Sequence, residues 1–103
     1  MDVAQLTRRM HDFVRSKGWY EPDSPRPQTP PNLAKSLVIE AGEVLELFQW
    51  SETADPEALG DELADVFLYL LQLADVSGID LEVATLRKLA VNQERTWDPP
   101  ARD

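Results

Sequence analysis

Two pairs of acidic residues occupy positions where an amphipathic helix carries apolar side chains. Three, four and seven residues from Glu40 lie Leu37, Val44, Leu33 and Leu47, which share one helix face with it. Around Glu62 the same steps reach Leu59, Val66 and Tyr69. Each intruding acid has a second acid three residues later, Glu43 after Glu40 and Asp65 after Glu62. Residues so spaced diverge by only about 60° around a helix, so both carboxylates can converge on one point. An unpaired carboxylate in an apolar stripe is strongly destabilising, and converging carboxylates cannot all stay ionised without cations or bound protons. Hard divalent ions answer both problems, because Mg²⁺ takes oxygen ligands and bridges carboxylates to phosphates. Glu40, Glu43, Glu62 and Asp65 are therefore the expected ligands of a metal site.

The segment "SETADP" explains how the two pairs would meet. An antiparallel hairpin folded about it brings them to roughly the same level, so that four carboxylates face one another inside a helical bundle. A lone E-x-x-E is common on solvated helix faces, and Glu46, Glu52, Glu57 and Asp61 read that way, although Glu46 continues the three-residue spacing. Two pairs that each begin inside an apolar stripe, placed symmetrically about a turn, form a far rarer pattern.

The elements that must position these acids are four helices, because no alternating pattern suggests a strand. The first is expected from about Val3 to Lys17, ended by Gly18. A proline-rich arm follows at 20–31, where "YEPDSPRPQTPP" is extended because proline removes donors and biases its predecessor away from helix. The second helix is expected from near Asn32 to about Trp50. The third begins at Pro56 behind an Asp55 cap and runs to about Ser77, stopped by Gly78. Asp80 caps a fourth from Leu81 to about Arg95, and 96–103 reads as a flexible tail. The expectation is one all-α domain over 1–103.

Composition narrows the partners. With 103 residues, 43% hydrophobic and 28% charged, the chain reads as globular and soluble. Nineteen acids against ten bases give a net charge of −9, which argues against a nucleic acid polymer or an anionic membrane as partner. A phosphorylated substrate would be repelled unless cations intervened. The lack of cysteine removes disulfides and thiolate chemistry and suits the cytoplasm. No apolar run reads as a signal peptide or a membrane span.

With the acids and elements in place, "NLAKSLVIEAGEVLELFQW" and "DELADVFLYLLQLADVSGIDL" resemble the all-α nucleoside triphosphate pyrophosphohydrolases, the MazG-like group. They look most like its short dCTP-pyrophosphatase-type members. The resemblance covers about Phe13 to Arg95. It implies Mg²⁺-dependent hydrolysis of a nucleoside triphosphate to monophosphate and pyrophosphate, with Mn²⁺ as a substitute and a pyrimidine, dCTP-like preference serving nucleotide-pool sanitation. It implies an oligomeric helical bundle, a homodimer or homotetramer, with Glu40, Glu43, Glu62 and Asp65 as metal ligands. "KLAVNQER" matches K-x-x-x-N-x-x-R, which makes Lys88 and Asn92 phosphate and sugar contacts, while Trp19, Trp50 and Tyr69 fall at positions lining the nucleoside pocket. Like the dCTP-type members, the chain departs at Ile39 from the longer E-E-x-x-E form, in which relatives carry a third acid. It departs again in the arm, where Gln28 or Thr29 stands at a histidine position. A further pocket histidine aligns with Met10, or with His11 after a gap.

The residues themselves leave other readings open. Aromatic residues at helical spacing, such as Trp50 and Tyr69, are ordinarily core. Trp19 either stacks on a base or pins the arm. His11, the one histidine, reads as an exposed residue on a polar helix face. Glu40 or Glu43 would accept the proton of an attacking water, with no sequence signal to separate them. The alternative function is a non-catalytic acidic helical oligomer that serves as an interaction module.

Overall fold

In a computed structural model of the chain, residues 1–96 are described, and among them every regular element is a helix. These are α1 (Val3–Ser16), α2 (Pro30–Glu46), α3 (Pro56–Val76) and α4 (Leu81–Glu94). Each helix starts on a side-chain cap. Asp2 accepts from the Gln5 amide while the Gln5 side chain accepts from the Asp2 amide, closing a capping box. Thr29, Asp55 and Asp80 each accept from the backbone N–H three residues on. Pro30 and Pro56 sit in the first turns of their helices, where a missing N–H costs nothing. The proline-rich arm therefore gives up Pro30 and Pro31 to α2, which begins two residues before Asn32.

Two helices stop as their glycines require. Gly18 and Gly78 take φ of 73° and 72°. Beyond them Trp19 N–H bonds back to the Val14 carbonyl and Ile79 N–H to that of Ala74, the glycine-terminated closure that satisfies orphan carbonyls. The second helix differs from expectation, ending at Glu46 rather than near Trp50. Its last turn holds no basic residue, while Glu43 and Glu46 place negative charge against the negative end of the helix dipole. Nor does tertiary packing extend it, since Leu45 is 73% and Trp50 91% exposed. Tighter bonds, from Leu47, Phe48 and Gln49 to the carbonyls three residues back, unwind the end.

The third helix is the hub: it packs extensively on α2, less on α1 and lightly on α4. Among the described residues the buried core lies where the first three helices meet and consists of Met10, Val14, Leu33, Leu71 and Ala74, with Gln72 as a buried polar residue among them. By contrast, α4 buries no side chain and exposes Val83, Leu86 and Leu89. Apart from Thr96, the expected tail lies outside the described residues. No described helix is long and apolar enough to cross a membrane.

Candidate functional site

The hairpin of α2 and α3 sets the level of the acids. Glu40 lies six residues before the end of α2 and Glu62 six residues after the start of α3, so antiparallel packing puts them side by side. Glu40, Glu62 and Asp65 each offer a carboxylate oxygen, all within 4.8 Å of one another. Burial pushes the Glu40 carboxyl above its usual range, and the charges of Asp65 and Glu62 push it further. An all-oxygen donor set that crowds negative charge this closely fits a hard divalent cation.

Glu43 stands outside this triad. Its carboxyl is also raised, mainly by a hydrogen bond to the Glu46 side chain and by that residue's charge, with smaller contributions from burial, Glu62 and Glu40. Glu40, rather than Glu43, is the α2 residue whose carboxylate groups with Glu62 and Asp65. Glu46 in turn is a direct partner of Glu43, not simply a solvated face residue.

Asp65 belongs to both the triad and the wall of a cavity of about 600 Å³, a size typical of small-molecule sites. Asp65, Tyr69 and Gln72 descend one face of α3 into it, Trp19 enters from just beyond α1, and Arg26 and Gln28 enter from the arm. The Trp19 ring meets Phe13 edge-on at 5.7 Å and carries the Arg26 guanidinium at 5.7 Å. Thus the structure brings Trp19 and Tyr69 to one cavity with Asp65.

It does not bring the other three there. Trp50 lies beyond the end of α2 and is 91% exposed. Lys88 and Asn92 are on α4, exposed and half-buried respectively, and neither lines the cavity.

A polar chain behind the cavity is absent from the sequence reading. Gln28 Nε2 donates to the Arg26 carbonyl at 2.6 Å. Gln72 Nε2 donates to Gln28 Oε1 at 2.7 Å and to the Tyr20 hydroxyl at 3.2 Å. Tyr20 in turn meets His11 Nδ1 at 2.5 Å, and His11 Nε2 meets Asp75 at 2.7 Å. His11 is consequently not the exposed residue expected: its side chain is 12% exposed and both ring nitrogens are engaged. Burial pushes the Tyr20 hydroxyl above its usual 10.0, against the opposing effects of the Gln72 bond and of Arg15. The available signal was Gln72 itself, the lone amide within "VFLYLLQLA", seven residues from Asp65.

An acidic triad between two antiparallel helices, beside an aromatic cavity, defines an all-α protein with a candidate divalent-cation site. The model of the MazG-like family matches residues 35–99. Human dCTP pyrophosphatase 1 is 37% identical over 99 residues, 85% of this chain and 55% of that protein. The chain belongs to the MazG-like family, and it spans about half the length of the curated relatives it matches most fully. A crystal structure of a pyrophosphatase from Archaeoglobus fulgidus superposes with a TM-score of 0.72 at 36% identity, covering 87% of each chain. A Cyanophage S-2L MazG-like pyrophosphohydrolase, bound to dGDP and three catalytic Mn²⁺ ions per active site, superposes with a TM-score of 0.71 at 28% identity. That match covers 97% of this chain and 86% of the phage protein.

Proposed function

We propose that this protein hydrolyses a deoxynucleoside triphosphate to the monophosphate and pyrophosphate, with Mg²⁺ as the physiological cation and a pyrimidine, dCTP-like preference. The observation that carries the reading is the triad of Glu40, Glu62 and Asp65 at one end of the aromatic cavity. Relatives named for dCTP and for dATP/dGTP hydrolysis support the reaction class, and the Mn²⁺ ions of the phage protein support the cation.

In this reading Glu40, Glu62 and Asp65 hold the cation, with Glu43 completing the set from the end of α2. A divalent cation there would neutralise the triphosphate and lower the pKa of a bound water. Either Glu40 or Glu43 accepts the proton of the attacking water. Trp19 and Tyr69 flank the nucleoside. Lys88 and Asn92 contact phosphate and sugar, and Trp50 covers the base, in the assembled oligomer. A homodimer or homotetramer is supported by the apolar surface one chain leaves open, from Leu63 at 51% exposed to Leu86 at 62%.

Hydrolysis in ¹⁸O-water tests the cleavage point. Attack at the α-phosphorus puts the label in the monophosphate, whereas label in pyrophosphate or orthophosphate would reject the proposed reaction.

A further inference from the structure

The hydrogen bonds behind the cavity fix the direction of both amides. Gln28 is pinned because the group it turns to the Arg26 carbonyl, at 2.6 Å, must be its NH₂. Its Oε1 then faces Gln72, so the atom Gln72 presents at 2.7 Å is Nε2. The second hydrogen of that NH₂ goes to the Tyr20 oxygen. The same hydroxyl meets His11 Nδ1, and His11 Nε2 meets Asp75, so Tyr20 is held in place from both sides. Gln72 is 3% exposed, yet it lines the cavity. Both hydrogens of its NH₂ are spent, and its Oε1 receives no hydrogen bond from any described residue.

We propose that Gln72 Oε1 reads the base edge of the substrate by accepting from an exocyclic amino group, with Gln28, Tyr20, His11 and Asp75 as positioning residues that keep the amide from flipping. This rests on the reading that the cavity holds a nucleotide. Gln72 lies seven residues beyond Asp65 along α3, a rise of roughly 10 Å. That is the separation needed between phosphates at the acids and a base edge at the cavity floor. A cytosine offers the 4-amino group that Oε1 lacks. Uracil and thymine present a carbonyl there instead, opposing two acceptors and leaving both without a donor. Sites built to hydrogen-bond a substrate group discriminate against analogues lacking it far more than apolar pockets do. Gln28, one of the two residues that stand at the family's histidine position, thereby gains a role, since it fixes the direction of the Gln72 amide.

Calorimetric binding of the α,β-imido analogues of dCTP and dUTP in Mg²⁺ tests the proposal without requiring turnover. The cytosine analogue is expected to bind at least roughly tenfold more tightly. Gln72→Met, which keeps the volume and removes the acceptor, is expected to bring that ratio close to one. The double variant Tyr20→Phe with Gln28→Leu frees the amide to turn its NH₂ outward, so uracil binding is expected to improve; a merely structural role would weaken both ligands alike. Equal affinity in the wild-type protein, no binding of either analogue, or an unchanged ratio in Gln72→Met overturns the proposal. If the methionine variant does not fold, the wild-type pair still decides. Discrimination without pyrophosphate release from any triphosphate would support base reading at Gln72 while rejecting the hydrolytic reading.

Discussion

Glu40 on α2 and Asp65 on α3 present carboxylate oxygens within 4.8 Å of each other and of Glu62, and burial together with the charges of Asp65 and Glu62 resists the ionisation of Glu40. Raised carboxyls bind protons more tightly in the folded chain than in the unfolded one. Metal-free stability therefore falls as pH rises through the window from the ordinary 4.5 to the raised values of Glu40 and Glu43. Thermal melts in EDTA are expected to show a lower Tm at pH 7 than near pH 5, and saturating Mg²⁺ should shrink the difference. A metal-free Tm that rises across that interval would contradict the crowding.

Removing one charge from the triad separates binding from folding. Glu62→Gln keeps the volume, so the helical circular dichroism should be unchanged. Pyrophosphate release should fall on the order of a hundredfold or more, the equivalent of several kcal/mol of lost charge stabilisation. Mn²⁺ titration should show weakened binding, and the metal-free Tm should hold or rise. Activity near wild type at saturating Mg²⁺ would remove Glu62 from the site.

Most of the fold was legible because its signals are local. Asp55, Pro56, Gly78 and Asp80 act on neighbouring backbone groups, so they mark the ends of α3 and the start of α4 without tertiary information. The end of α2 was not legible in the same way. Its apolar pattern continues through Phe48 and Trp50, but helix there needed a packing partner, and the chain supplies none. Spacing brought Glu40, Glu62 and Asp65 together correctly, because helical period and hairpin symmetry determine their level. The network of His11, Tyr20, Gln28, Gln72 and Asp75 joins α1, the arm and α3, with contacts up to 64 residues apart, and no periodicity encodes such a contact.

Trp50 offers a sharp contrast between packing and recognition. At 91% exposure it contributes little to the stability of one chain, so Trp50→Ala should change unfolding free energy by no more than about 0.5 kcal/mol. If it covers the base in the oligomer, KM for the preferred nucleotide should rise roughly ten- to a hundredfold. Inorganic triphosphate, if cleaved, should be unaffected. An unchanged KM would take Trp50 out of the nucleotide site.

The open apolar surface makes its own demand. Leu63, Val83, Leu86 and Leu89 are each at least half exposed, apolar area that a second copy of the chain would cover. Light scattering should give a dimer or tetramer. Leu86→Glu should shift the population toward monomer and lower activity with it. A wild-type monomer that is fully active would refute the assignment of Lys88, Asn92 and Trp50 to an assembled site.

The central claim is hydrolysis between the α and β phosphates at a divalent-cation site, and its most direct test is the product released from dCTP with and without Mg²⁺. The account predicts one pyrophosphate per dCMP formed in Mg²⁺, no orthophosphate, and no product in EDTA. Orthophosphate as the product, or the absence of any product from a full deoxynucleotide panel in both Mg²⁺ and Mn²⁺, would contradict it.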